Sequence, residues 1–333
     1  MRRTLPFALA ATAFIAACAT QSPQPPRPTT QADVDAHVAK ATSIAGDDLK
    51  GIMPVCNPQP AVRPGGPAVE ALLKRVIEAP PPEPGQAFDN LYFVGSAWVS
   101  AWVLKTSEGL ILIDAMNNAV EASALVEGGM LKLGLDPAQI KYIVVTHGHG
   151  DHYGGAAMLV QKYRSRVVAS GVDWDMMETA LEFDTPLWSK PPKRDIAVKD
   201  GDTLRLGDTT VTLYMTPGHT KGALSPVFDV KARGRTHRAM MWGGTAFNFG
   251  RDMPRLDSYI ASSERMRQVV AVQSVDVFLS NHPGNDKTLP NLAAMKARPD
   301  MPNPFAVGTA TVDRALQVLG ECARAQQARF LIS

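Results

Sequence analysis

Thr146-His147-Gly148-His149-Gly150-Asp151-His152 decides how this 333-residue chain is read. A β-branched run over 141–146 predicts a strand leading into it, and the stretch from about 154 to 163 predicts a helix leading out. Strand, polar loop and helix in that order put the loop at the carboxyl end of a strand, where α/β folds place their chemistry. In an extended segment, residues two apart point the same way. His147 and His149 can therefore grip one cation while Asp151 and His152, past the turn, face another. Gly148, Gly150, Gly154 and Gly155 are expected to permit the tight backbone this needs.

Two further loops have the same character. Thr216-Pro217-Gly218-His219-Thr220 and Asn281-His282-Pro283 each follow a predicted strand, so five of the seven histidines stand at strand ends. Core histidines would be scattered; His37 and His237, outside these loops, read as ordinary surface or core residues. Five imidazoles and one carboxylate can hold two metal ions with three protein ligands each, leaving positions for water and substrate.

Outward from these loops, further strands are expected over 91–95, 98–105, 110–114, 166–170, 203–206, 210–215, 224–230, 239–242 and 275–279. Helices are expected from Asn117 or Asn118 to Gly134, over 254–273, and from Thr309 or Thr311 onward. The alternation specifies an α/β domain, placed at 86–333. Before it, 13 of the 26 prolines fall between residues 19 and 84, so 18–85 reads as a proline-rich tether and N-terminal arm. Arg2 and Arg3 followed by an apolar run to Ala17 have the layout of a secretory signal over 1–17, too short to stay as a membrane span. With 34 basic against 32 acidic side chains, the chain lacks the Lys/Arg excess of a nucleic-acid binder.

The HxHxDH pattern of His147, His149, Asp151 and His152, with His219 and His282 in order behind it, resembles the metallo-β-lactamase superfamily. That resemblance implies an αβ/βα four-layer sandwich with a dinuclear zinc site at the sheet edges. It places His147, His149 and His219 on the first zinc and Asp151, His152 and His282 on the second, with Asp114 orienting a ligand from behind. Most hydrolases of the superfamily, glyoxalase II and the lactonases included, carry a metal-bridging Asp in a Gly-Asp pair. Here Trp242-Gly243-Gly244-Thr245 has Gly244 at that position. The chain is more similar to the subclass of metallo-β-lactamases with His-His-His and Asp-His-His sites. A subclass with Cys on the second zinc is excluded, because no Cys lies between residues 57 and 321.

The resemblance implies attack of a metal-bound hydroxide, oriented by Asp151, on the amide carbonyl of a β-lactam ring. The small-molecule substrate would meet Thr245, a hydroxyl beside the attacking group. Trp98, Trp102, Trp188 and Phe247 can wall the pocket, but core or surface packing is the commoner use of a Trp. Lys221, two residues from His219, is read either as a positive charge for an anionic substrate or as an ordinary solvated loop lysine. A hydrolase of another cyclic ester, thioester or amide, lactonase-like or glyoxalase-II-like, is the alternative within enzymes; a non-catalytic metal-binding lipoprotein is the alternative outside them.

The three cysteines divide. Ile15-Ala16-Ala17-Cys18 resembles the lipobox of bacterial lipoproteins, which implies export, acylation of Cys18 and a lipid anchor in the outer membrane facing the periplasm; a soluble export signal cut after Ala17 or Ala19 is the other reading, and both export the protein. Cys56 and Cys322 remain as an even pair in an oxidising compartment, and a disulfide between them is expected; a buried Cys322 thiol with Cys56 free is the other reading.

Overall fold

The structure, a computed structural model, describes Met1 and residues 27–332. Cys18 and, Met1 aside, the expected signal stretch lie outside the described residues.

Leu110-Ile111-Leu112-Ile113 shows how the layers arise. The run is apolar at every position because both faces of its strand are covered. Leu110 and Leu112 turn toward helices, Ile111 and Ile113 toward a second sheet. The first sheet holds β1 (Gly85–Phe88), β2 (Leu91–Phe93), β3 (Trp102–Thr106), β4 (Gly109–Ile113), β5 (Ile140–Val144), β6 (Arg166–Ser170) and β7 (Ile196–Val198) in chain order. It is antiparallel as far as β4 and parallel from β4 to β7. The second holds β8 (Asp202–Leu206), β9 (Thr209–Met215), β10 (Leu224–Ala232), β11 (Arg235–Trp242) and β12 (Val277–Ser280) in the order β12-β11-β10-β9-β8, with only β11 and β12 parallel.

The helices are α1 (Gln31–Ala45), α2 (Pro67–Ile77), α3 (Ala119–Glu121), α4 (Gly128–Lys132), α5 (Gly150–Tyr153), α6 (Ala156–Tyr163), α7 (Gly171–Thr179), α8 (Met253–Gln273), α9 (Thr288–Ala297) and α10 (Thr309–Ile332). One apolar core between the sheets joins Phe93, Trp102 and Val144 to Leu213, Phe228 and Leu279. A second packs helices on the first sheet through Ala122, Leu159 and Trp174. The third packs α1, α8 and α10 on the second sheet through Ala41, Leu256, Tyr259, Leu316 and Trp242. The result is the expected αβ/βα four-layer sandwich. Among the described residues no helix is long and apolar enough to cross a membrane.

Three expectations need correction. The packed unit does not start at residue 86. α1 buries Val34, Ala41 and Ala45 in the third core, with Ile52 and Val55 behind it. Its buried face is mostly alanine, so no apolar stripe stood out of the proline-rich segment. Its start is fixed when the Thr30 N–H donates to Asp33 Oδ2 at 2.8 Å, and Cys56 and Cys322 are disulfide-bonded, tying this segment to α10. The strand expected from 98 starts only at Trp102, because Ser96 Oγ accepts from the N–H groups of Trp98 (3.1 Å) and Val99 (2.9 Å) and turns the chain. The helix expected over 117–134 is α3 and α4 joined by a π-helical segment, Ala122–Glu127, and Asn118 caps it by accepting from the Glu121 N–H at 2.9 Å.

Candidate metal centre

The carboxyl ends of β4, β5, β9, β11 and β12 converge on one edge of the sandwich. They bring Asp114, the 147–152 loop, the 216–220 loop, the 243–246 turn and the 281–282 turn together. The glycines of the first loop act through space rather than through dihedral freedom, since none of them has positive φ. A Cβ on Gly154 would lie 1.9 Å from the Asn117 carbonyl oxygen, so only glycine lets the loop close here.

Each of the five histidines spends one ring nitrogen on an acceptor outside the cluster. His147 Nδ1 donates to the Gly243 carbonyl (2.7 Å), His219 Nδ1 to that of Ala246 (2.7 Å) and His282 Nδ1 to that of Trp98 (2.7 Å). His152 Nδ1 donates to Asp114 Oδ2 (2.8 Å), and His149 Nε2 to Glu182 Oε2 (3.3 Å). A carbonyl can only accept, so in a neutral imidazole the opposite nitrogen is a bare lone pair. The bare nitrogens face one another: His219 Nε2 lies 3.1 Å from His147 Nε2 and 3.1 Å from His149 Nδ1. Facing lone pairs demand a cation, and the spacing is close to the ~3.3 Å between nitrogens that each sit about 2.0–2.1 Å from a tetrahedral zinc.

The second group shares this logic. Asp151 Oδ2 lies 3.3 Å from His152 Nε2 and 3.9 Å from His282 Nε2. Asp151 Oδ1 and His152 Nε2 are buried with no hydrogen-bond partner, which a structure tolerates where an ion satisfies them. The groups spaced to hold a metal ion are therefore His147-His149-His219 and His147-Asp151-His152, with the expected sixth ligand, His282, beside Asp151.

Titration behaviour follows from the same contacts. Burial, reinforced by neighbouring imidazoles, pushes His147 and His219 well below their ordinary values and lowers His282, which keeps them neutral. Burial opposes the charge of His152, yet Asp151 and Asp114 push it up to about 10. Burial likewise opposes the Asp151 carboxylate, but His152 and His282 hold it far below the usual range. A positive charge, proton or metal, is required between these groups.

The remaining expected residues divide. Asp114, at φ 62°, accepts from the Thr146 N–H and Thr146 Oγ1 (both 2.8 Å) as well as from His152. The Trp98 ring lies 5.6 Å from that of His282 and walls the second group. Trp188 packs against Gly150 and donates from Nε1 to Asn117 Oδ1 at 2.9 Å. Phe247 and Trp102 do not line the site. Phe247 is 1% exposed and set edge-on to Tyr259 in the third core, while Trp102 is fully buried between the sheets. The Thr245 hydroxyl meets Ser280 Oγ (3.4 Å) rather than a histidine, because the Tyr259 hydroxyl holds its carbonyl (3.0 Å). Lys221 is exposed and forms no hydrogen bond or ion pair with a described residue.

Three residues had no sequence signal. Asp173 Oδ2 accepts from the Gly148 N–H (2.8 Å) and Thr220 Oγ1 (2.7 Å), joining two ligand loops; burial raises its carboxyl group. Glu182, in a loop without periodicity, reaches His149. Burial opposes its charge, but His149 and Arg255 hold it well below the usual range. Arg255 is a buried cation at a helix start that composition alone marks as solvent-facing.

Comparison with known proteins follows the same lines. The Metallo-beta-lactamase superfamily model matches residues 99–231. The hydroxyacylglutathione hydrolase of Rhodopseudomonas palustris is 34% identical over 144 residues, 43% of this chain and 49% of that protein. That of Francisella tularensis subsp. novicida is 25% identical over 191 residues, 57% of this chain and 64% of that protein. The chain thus spans about half the length of the curated relatives it matches. Among solved structures, the subclass B3 metallo-β-lactamase of Bradyrhizobium japonicum is 30% identical with a TM-score of 0.61, over 73% of this chain and 92% of that one. The metallo-β-lactamase of Cronobacter sakazakii is 26% identical with a TM-score of 0.63, over 77% and 90%.

Proposed function

The chain belongs to the metallo-β-lactamase superfamily, and from that premise we propose that it is a zinc-dependent hydrolase that opens the β-lactam ring of antibiotics. The observation that carries this reading is at Gly244, where glyoxalase-II-like members would have a bridging Asp. A Cβ there would lie 2.6 Å from His219 Cβ, so the backbone leaves no room for a bridging carboxylate. The site is left with His-His-His and Asp-His-His alone, the set expected of the β-lactamase subclass.

His147, His149 and His219 would hold one zinc ion and Asp151, His152 and His282 the other. Bound zinc supplies Lewis acidity and lowers the pKa of an attacking water to about 7. The chain's own contribution is orientation and proton handling. Asp151 Oδ1, with no partner in the protein, is free to accept a hydrogen bond from that water and to pass its proton toward the ring nitrogen released as the C–N bond breaks. Trp98 beside His282 and Phe183, whose ring lies 4.9 Å from that of His149, give the site an apolar wall on each flank and limit bulk water.

A second reading, a thioester hydrolase, is favoured by the relatives named hydroxyacylglutathione hydrolase. Purified zinc-loaded protein, with and without chelator, assayed on penicillins, cephalosporins, carbapenems, lactones and an S-hydroxyacylglutathione separates the two. Chelator-sensitive β-lactam turnover is expected; turnover of the thioester alone transfers the assignment to the second reading. We also propose that the enzyme works in the periplasm, anchored through Cys18. The Cys56–Cys322 disulfide supports an oxidising compartment.

A further inference from the structure

The pair formed by buried Arg255 and partly buried Glu182 has no counterpart elsewhere in the site. Glu182 comes from the loop between α7 and β7, and Arg255 from the first turn of α8. Arg255 Nη1 donates to Glu182 Oε1 (2.9 Å) and Nη2 to Oε2 (2.8 Å), a bidentate fork. The same guanidinium donates from Nε to the Gly218 carbonyl (2.6 Å) and from Nη2 to the carbonyl of His219 itself. It lies over the Phe249 ring, 4.3 Å from the centroid. Four of its five N–H donors are thus engaged. Glu182 Oε2 in turn accepts from His149 Nε2 (3.3 Å).

One guanidinium therefore reaches two of the three ligands: His219 through its backbone and His149 through the carboxylate. A buried ion pair is a costly way to gain stability, since two apolar side chains of like volume fill such space about as well. Its geometry here suits a different task. Resting on the zinc-hydrolase reading above, we propose that Glu182 and Arg255 are a positioning pair that holds His149 and His219 in place for the first metal ion. Glu182 fixes the His149 tautomer with Nδ1 turned inward. Arg255 fixes Glu182 and sets the path of the backbone that carries His219. The second trio has no contact with either residue beyond the shared edge of the site.

The test uses the full chain and zinc alone as the probe. In Glu182→Gln the shape is kept, but the negative charge is lost and only one of the two oxygens remains an acceptor, so the bonds from Arg255 Nη1, Arg255 Nη2 and His149 Nε2 cannot all persist. The dissociation constant of the first ion, read by competition with a chromophoric chelator, is expected to rise about 10- to 100-fold, as is typical of partners behind a metal ligand. The second ion keeps its affinity, and cobalt(II) absorption identifies which site has weakened. Arg255→Lys, which keeps the charge without the fork, is expected to act in the same direction. Asp184→Asn, an exposed neighbour on the same loop, is expected to leave both ions unchanged. Wild-type affinity for both ions in Glu182→Gln overturns the proposal, and so does an equal loss at both sites, which marks general loosening. Should Arg255→Lys fail to fold, Glu182→Gln decides alone. A parent protein that binds no zinc overturns the zinc reading itself, an outcome distinct from either.

Discussion

Adding a single methyl group at Gly244 should empty one metal site and spare the other. The Cβ of Gly244→Ala would stand 2.6 Å from His219 Cβ, 3.1 Å from Cγ and 3.2 Å from Cδ2. Carbon atoms in contact prefer about 3.5–4.0 Å, so His219 must retreat by roughly 1 Å. It has little freedom to do so. Nδ1 is held by the Ala246 carbonyl at 2.7 Å, the backbone carbonyl is held by Arg255, and Nε2 faces its fellow ligands at 3.1 Å. Metal–ligand distances tolerate only about 0.2 Å, so a displacement of roughly 1 Å removes His219 from the first ion. Overpacking adds about 1–3 kcal/mol of destabilisation. Native mass spectrometry and metal analysis of Gly244→Ala are expected to show one zinc ion fewer than the parent, with hydrolysis lost and the fold kept by circular dichroism. Gly244→Asp, which restores the carboxylate of the other branch, is expected to behave no better. Two zinc ions bound at parental affinity in Gly244→Ala would refute both the steric argument and its use in choosing between substrate classes.

Other predictions concern the supports of the site and the arm. The Cys56→Ser/Cys322→Ser double variant opens a link between residues 266 apart, and chain entropy puts the loss at up to about 5 kcal/mol. Urea unfolding of the oxidised parent and the variant should differ by at least about 2 kcal/mol, and coincident curves would show that the α1 packing suffices without the link. Asp114→Ala removes the acceptor of His152 Nδ1 and of two Thr146 donors. The second ion should bind about 10- to 100-fold more weakly with the first unaffected, as read by cobalt(II) titration; unchanged affinity for the second ion would refute the orienting role.

The parts of the fold that were legible share a property. Leu110-Ile111-Leu112-Ile113 and Ile143-Val144-Val145 before Thr146 are continuous β-type segments buried on both faces, so local composition reports them directly. α1 was hidden because it buries alanines, and β7 because three residues, Ile196–Val198, carry no period. The aromatics misled for a related reason. Phe247 and Trp102 have the composition of a pocket wall, but whether an aromatic ring faces a site or a core depends on which sheet or helix covers it. Here Tyr259 and the opposite sheet do so.

By itself the sequence singled out the six expected ligands. Their placement depends on short-range geometry: the two-residue alternation of an extended segment, the turn after it, and loops that begin where strands end. The tertiary structure alone decided what stands behind those ligands. Glu182 meets His149 across 33 residues and Arg255 across 73, and the closeness of Gly244 to His219 is set by two strands of one sheet. No local period encodes such contacts, because they exist only after the cores of the four layers have closed and fixed which loops share an edge.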